Sequence, residues 1–272
     1  MTNEHAGTSR PNPTHGHAER VWVVIPTYNE ADNIAALLTA IHSNVPQAKV
    51  LVVDDNSPDG TGAIVRRIAN NDERVHLMQR GGKLGYASAV IQGLHYALAH
   101  GADIIIHMDA DFSHDPAVIP TMLQMVRNGV ADVVVGSRYV PGGSVVNWSL
   151  WRQWLSKVAN CVARTLLSLP IKDCTSGFRC YTRDASMRAR LDCIRVEGYG
   201  FLTVSTYQAH RHGLRVKEIP IRFEDRRFGK SKLSRRVIAE AIVALLRLAL
   251  SRIGCFRLAS KVIDERDETC GV

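Results

Sequence analysis

Through the first half of the chain, short apolar β-branched runs alternate with stretches of helical spacing. This constrains the fold more than any other feature. Val21-Trp22-Val23-Val24-Ile25, Val50-Leu51-Val52-Val53, Val75-His76-Leu77-Met78, Ile104-Ile105-Ile106-His107-Met108 and Val133-Val134-Val135 read as strands. Near-continuous apolar runs of this length fit strands buried on both faces, as in a parallel sheet. Between them, 30–44, 61–70 and 85–99 have helical character, and Pro116 suits the first turn of a helix ending before Gly129. Such alternation predicts an α/β layer fold with a mostly parallel central sheet flanked by helices.

The pattern changes after Gly136. Residues 137–150 read as a Gly/Pro-containing loop. Residues 151–168 read as a helix with Trp151, Trp154, Leu155, Val158, Val162 and Leu166 on a broad apolar face. Strands are expected at 176–182 and 214–223 around a helix near 200–212, and Arg235 to Arg252 as a last long helix. The expected organisation is a polar leader over 1–20, one domain over 21–253 and a tail over 254–272. The domain includes a basic loop at 224–236 and an amphipathic helix at 237–250, a C-terminal helical elaboration.

Charge narrows the partners. The chain carries a formal net charge of +8 over 272 residues. Residues 1–209 hold 19 basic and 18 acidic side chains, whereas 210–262 hold 14 and 4. A concentrated basic block suits phosphate-bearing partners at a membrane surface. Nucleic acid is not expected, because no aromatic stacking pattern interleaves the basic residues. The six cysteines form no Cys-x-x-Cys pair and read as reduced thiols. No apolar run is long enough for a confident membrane span, and no signal-peptide core follows the start, so a cytoplasmic protein is expected.

Ligands of open α/β sheets bind beyond the carboxyl ends of the strands. Three expected strands end there in polar clusters: Pro26-Thr27-Tyr28-Asn29-Glu30, Asp54-Asp55-Asn56-Ser57-Pro58-Asp59-Gly60 and Asp109-Ala110-Asp111. A single acidic end is ordinary, since Asp often caps the next helix. Two acidic ends on one rim repel each other unless a cation or donor-rich ligand joins them. Asp109 and Asp111 have the chemistry of a Mg²⁺ or Mn²⁺ site completed by ligand phosphates and water. Alternation on a strand would send both carboxylates the same way. His114 reads as a turn or helix-start residue. No Gly-x-Gly-x-x-Gly follows the first strand, and Gly229-Lys230-Ser231 lacks the earlier glycine of a phosphate loop.

These clusters, taken with Gly82-Lys83-Leu84-Gly85-Tyr86-Ala87, Gly136-Ser137-Arg138-Tyr139, Ser176-Gly177-Phe178-Arg179 and Gly229-Lys230-Ser231-Lys232-Leu233, form a distinctive order. Over about residues 20–250 the chain resembles the inverting family-two glycosyltransferases, specifically the dolichol- or polyprenol-phosphate mannose synthases. The resemblance implies a GT-A (nucleotide-diphospho-sugar transferase) fold, a GDP-mannose donor and a polyprenyl phosphate acceptor. It implies nucleotide-sugar binding by Pro26, Tyr28, Glu30, Val53, Asp55, Asp109, Ala110, Asp111, Arg138, Arg226 and Lys232. Asp109, Asp111 and Arg138 would carry catalysis. Asp109 and Asp111 would hold the metal, with Ser113 where the family often has a Gln ligand. It further implies peripheral attachment to the cytoplasmic face of a membrane, through the C-terminal region or a membrane-anchoring subunit. A UDP-glucose donor, or a non-catalytic nucleotide-sugar-binding subunit, are the alternatives.

Overall fold

The computed structural model describes residues 18–225 apart from Arg195, Glu197 and Tyr199. The expected basic loop beyond Asp225, the helix at 237–250, the tail and nearly all of the leader lie outside the described residues.

Strand–helix alternation is present as expected: β1 (Val21–Thr27), α1 (Ala31–Asn44), β2 (Lys49–Asp54), α2 (Thr61–Ala69), β3 (Val75–Gln79), α3 (Tyr86–Ala99) and β4 (Ile104–His107). A 3₁₀ turn at Pro116–Val118, capped by the Asp115 carboxylate accepting from the Ala117 N–H, leads into α4 (Ile119–Arg127). Then come β5 (Val133–Ser137), β6 (Ser144–Val146), α5 (Leu150–Leu167), β7 (Arg179–Thr182), α6 (Arg183–Arg188), α7 (Gly200–Arg211), β8 (Val216–Pro220) and β9 (Arg222–Glu224).

Seven strands form one sheet in the order β3-β2-β1-β4-β7-β5-β8. All pairings are parallel except those of β7, which runs antiparallel between β4 and β5. Both faces of the sheet are buried, and β1 shows how. Val21, Val23 and Ile25 join the core with α1 and α4, while Trp22 and Val24 join the core with α3 and α7. This is the period-two alternation of a strand covered on both sides. The crossovers β1–α1–β2 and β2–α2–β3 run one way, and β3–α3–β4 runs back past β1. With a fixed hand of crossover, the reversal puts α3 on the opposite face from α1 and α2. The switch point between β1 and β4 opens a crevice at their carboxyl ends.

Four details differ from the sequence reading. First, the expected loop over 137–150 contains β6, which pairs in parallel with β9 in a separate two-stranded sheet. Second, the single strand expected over 214–223 is two strands. The chain leaves the main sheet after Pro220, and Arg222–Glu224 joins β6 instead. Third, the strand expected from 176 starts at Arg179, because Ser176 to Phe178 are irregular and follow a turn at Cys174–Thr175. Fourth, β4 stops at His107, so Asp109 and Asp111 sit on the loop beyond it. Strand alternation therefore does not aim their carboxylates.

Gly93 in the middle of α3 lets that helix lie close on β1. A methyl there would overlap the Val24 side chain and come within 3.3 Å of Val53. Helix propensity alone favours Ala by about 1 kcal/mol. Overpacking typically costs about 1–3 kcal/mol. We therefore expect Gly93→Ala to lower stability despite the better helix former, measured as a reduced urea midpoint at unchanged slope.

Candidate active site

The rim of the crevice is built from three turns tied to one another. Asp54, at the end of β2, is fully buried and accepts from the Thr27 hydroxyl at 3.0 Å and from the Ser57 backbone N–H at 3.0 Å. Asp59 accepts from the Ala31 and Thr61 N–H groups at 3.0 Å each, and the Thr61 hydroxyl accepts from the Glu30 N–H. These bonds satisfy N–H groups at the starts of α1 and α2, which would otherwise lack partners. Asp54 and Asp59 are thus structural members of the acidic cluster.

Asp55 has a different neighbour. It forms a buried ion pair with Arg80 at 2.9 Å and accepts from the Gly85 N–H at 3.0 Å. Burial pulls the Arg80 guanidinium below its ordinary range, and Asp55 opposes that. Arg80 also donates to the Ser88 hydroxyl at 2.6 Å. The pair thereby anchors the Gly81–Leu84 loop beside the crevice. Lys83 from that loop lies 4.2 Å over the Tyr28 ring, a cation–π contact at the mouth. The Val53 side chain is inside the core and leaves only its backbone for any ligand. Glu30 is buried and accepts from the Asn33 amide at 3.0 Å, and Pro26 is half-buried at the end of β1.

Beyond β4, the loop carrying Asp109, Ala110 and Asp111 is fixed from beneath. The Asp109 N–H donates to His114 Nδ1 at 3.1 Å. Asp111 Oδ1 accepts from the Ser113 N–H at 3.1 Å and from its hydroxyl at 2.6 Å. Ser113 thus uses its proton to orient the Asp111 carboxylate. His114 lies in the bend just before the Pro116–Val118 turn, and its ring is buried and stacks on Phe178 at 5.1 Å. Burial drives the His114 pKa down to about 4. Asp111 and Asp173 raise it, and Arg138 lowers it further. The ring is neutral near pH 7, and with Nδ1 accepting, its proton sits on Nε2.

Gly177 closes the floor. A Cβ there would lie 2.8 Å from the Tyr86 hydroxyl, 3.4 Å from Asp109 Oδ1 and 3.5 Å from His114 Cε1. The Tyr86 hydroxyl in turn meets His107 Nε2 at 3.0 Å. Burial holds His107 well below its ordinary pKa, with Arg179 and His114 adding to the effect.

Arg138, at the end of β5, is buried. Its Nε and Nη2 each bond Asp173 at 2.7 Å, Nη2 also reaches Thr175 at 2.8 Å, and its backbone N–H donates to Asp173 at 3.1 Å. Tyr139, Trp148 and Phe223 surround the guanidinium at 5.2–5.5 Å. Burial acts to raise the Asp173 pKa, but the Arg138 charge outweighs it and holds the carboxyl below its usual range. Glu218 of β8 accepts from the Lys172 and Asp173 N–H groups and fixes the loop that supplies this carboxylate. Arg226 and Lys232 lie outside the described residues.

Sequence reasoning missed Arg80, Tyr86, His107, Asp173 and Gly177 as site-builders. Asp173 had no strand-end position to mark it, and Arg80, directly after β3, stood alone there without an acidic or motif neighbour. Tyr86 and Gly177 stood inside quoted motifs, yet only their meeting in space shows their roles.

Two oxygen donors, Asp109 and Asp111, flank the small Ala110 on this rim, which suits a hard cation that also holds a diphosphate. Among the described residues no cluster of three or more His, Cys, Asp or Glu side chains could hold a metal alone. Phosphate and water oxygens would complete the shell.

Replacing Asp173 by Asn leaves a buried guanidinium unpaired. We expect Asp173→Asn to cost about 3–5 kcal/mol in chemical denaturation. The depressed Asp173 pKa sets the sign with pH. Its stabilisation is present above the unfolded carboxyl value, about 3.9, and is lost as pH falls through the folded value. The variant should therefore show a flatter acid limb than the parent.

Comparison with known proteins agrees with this architecture. Residues 22–189 match the model of the family described as glycosyl transferase family 2. The chain is 41% identical over 232 residues to an undecaprenyl-phosphate mannosyltransferase of Micrococcus luteus, covering 85% of this chain and 95% of that protein. It is 43% identical over 225 residues to a polyprenol monophosphomannose synthase of Mycolicibacterium smegmatis, covering 82% and 84%. Among solved structures, glucosyl-3-phosphoglycerate synthase from Mycobacterium tuberculosis, in complex with Mn²⁺, UDP-glucose and phosphoglyceric acid, superposes with a TM-score of 0.61. That match has 19% identity and covers 91% of this chain and 86% of the other. With its switch-point crevice and acidic rim, the chain belongs to glycosyltransferase family 2 and has the GT-A fold.

Proposed function

We propose that this protein transfers mannose from GDP-mannose to a polyprenyl (dolichol-type) monophosphate, with inversion at the anomeric carbon, giving polyprenyl phosphate mannose and GDP. The observation that carries this reading is the meeting of Asp109, Asp111 and the buried Arg138–Asp173 pair at one rim. It occurs in a chain 41–43% identical to proteins named for that transfer.

In this reading Pro26, Tyr28, Glu30, Asp55 and the Val53 backbone line the nucleotide end, and Arg226 and Lys232 would add cations from the C-terminal side. Asp109 and Asp111 would hold Mg²⁺ or Mn²⁺, which when bound offsets charge on the leaving diphosphate. Ser113, where the family often has a Gln ligand, positions Asp111 through its N–H and hydroxyl. Arg138 is held rigid by Asp173 and Thr175, so it needs no reorganisation as charge develops. An acceptor phosphate oxygen forms the new bond to the anomeric carbon as the bond to the GDP oxygen breaks. A phosphomonoester, with a second pKa of about 6, is largely dianionic at neutral pH, so no protein base is required. The neutral buried His114 accordingly serves as a brace for Asp109.

The acceptor is a lipid, so the enzyme works peripherally at a membrane surface, on the cytoplasmic side in this reading, where an anchoring subunit could also contribute. Among the described residues no helix is long and apolar enough to cross a membrane.

Purified full-length chain should turn over GDP-mannose only with a divalent ion and a polyprenyl phosphate present. Preferential turnover of UDP-glucose would reassign the donor, and survival of activity in Asp111→Ala would remove the metal role. We expect Asp111→Ala to lower kcat by about 10²–10³-fold. Gly177→Ala, by displacing Tyr86 and crowding Asp109, should lower kcat by about 10²-fold with a circular-dichroism spectrum like the parent's.

A further inference from the structure

Tyr86 and His107 form a polar pair beneath the acidic rim, and the proposed transfer leaves it without a task. Tyr86 is the first residue of α3, and His107 is the last of β4. His107 is fully buried and stands in register with Val24 on one side and Arg179 on the other. The start of α3 is held from the rim. The Gly85 N–H donates to Asp55 at 3.0 Å, and the Gly85 carbonyl accepts from Arg80 at 3.2 Å. Both members are therefore fixed, with their ring centroids 5.6 Å apart.

The direction of the hydrogen bond between them follows from what His107 lacks. Its Nε2 meets the Tyr86 hydroxyl at 3.0 Å, whereas its buried Nδ1 has no hydrogen-bond partner. A neutral imidazole carries one N–H. Were that proton on Nδ1, a buried donor would be orphaned, which is both rare and costly. The proton therefore belongs on Nε2, and His107 donates to the Tyr86 oxygen. The Tyr86 O–H then points away from His107. Gly177 and Asp109 are the other groups near that oxygen: a Cβ on Gly177 would lie 2.8 Å from the Tyr86 hydroxyl and 3.4 Å from Asp109 Oδ1. The glycine leaves both oxygens beside one gap with no methyl group in it. An ionised carboxylate only accepts. A hydroxyl that gives its proton to this gap is matched to Asp109, whereas one that gave it to His107 would set lone pairs against lone pairs.

We propose that Tyr86, aimed by His107, is a positioning residue for Asp109. Its O–H donates to Oδ1 over Gly177, directly or through one water, and fixes the carboxylate as a cation ligand. His114 already holds the Asp109 backbone, and this contact holds the side chain. Metal-binding carboxylates are themselves hydrogen-bonded, and losing such a partner costs about 10–100-fold in metal affinity or activity. The assignment rests on the reading that Asp109 and Asp111 hold a divalent ion together with a nucleoside diphosphate.

The test is Mn²⁺ binding by the full chain, followed by water-proton relaxation enhancement with GDP and, in parallel, with UDP. No sugar or acceptor is present, and the variants are compared with whichever nucleotide the parent prefers, so a wrong donor leaves the comparison intact. Tyr86→Phe keeps the ring and loses the proton, and it should weaken Mn²⁺ binding about tenfold. His107→Leu should weaken it equally. His107→Gln, whose amide can donate from near the place of Nε2, should hold it at the parent's level. The double variant Tyr86→Phe/His107→Leu should bind no more weakly than either single one, because the pair acts as one unit. If His107→Leu melts early, Tyr86→Phe set against His107→Gln still decides. Parental affinity in Tyr86→Phe overturns the proposal, as do equal losses in His107→Gln and His107→Leu, or additive losses in the double variant. Asp109→Asn separates this result from the metal reading. If Asp109→Asn binds Mn²⁺ like the parent, the metal role of Asp109 falls and the proposal falls with it. If Asp109→Asn loses Mn²⁺ while Tyr86→Phe does not, the proposal alone falls.

Discussion

A parallel sheet buried on both faces leaves little room for polar chemistry in its interior. Every strand of β1, β2 and β4 carries apolar side chains into one of two cores. Charged groups placed there would pay heavily for desolvation. The polar residues therefore collect where the strands end, and parallel pairing puts those ends on one rim. The reversal of crossover direction between β1 and β4 then parts the flanking helices and opens that rim into a crevice.

Once polar groups are gathered there, the geometry is fixed by pairing rather than by exposure. Asp54 staples its turn, Asp55 anchors Arg80, and Asp173 locks Arg138. These are three buried carboxylates with three different local tasks. Asp109 and Asp111 combine a place on the rim with bracing from below, by His114 and Ser113. A rigid pair of oxygen donors facing a fixed guanidinium is suited to a ligand whose charge changes during reaction.

The same helix serves two surfaces. On its inner side α5 supplies Asn160 and Ser156 to the network around Arg138 and Thr175. On its outer side it presents tryptophans and aliphatic residues to solvent. Under the proposed function a lipid substrate poses this geometric problem, since the phosphate must reach a polar site while its chain stays in an apolar phase. One amphipathic helix with a buried polar edge brings the two environments within a side chain's length.

The sequence alone determined the α/β layers, most element positions and the acidic strand ends, because period-two and helical spacing are local properties of the chain. It also marked Asp109, Asp111 and Arg138 through ordered motifs. It did not reveal that β7 would run antiparallel, that 214–223 would divide between two sheets, or that β4 would stop at His107. Those outcomes depend on which strands compete for the same edge. Nor did it reveal Asp173, Arg80, Tyr86 or Gly177 as parts of the site. Asp173 lies 35 residues from Arg138 in sequence, and Gly177 matters because the Tyr86 hydroxyl of α3, with Asp109 and His114, arrives beside its loop position. Local pattern fixes what a segment becomes. Only packing decides which distant charges are buried together, because the cost of burying one of them exists only after the fold has closed around it.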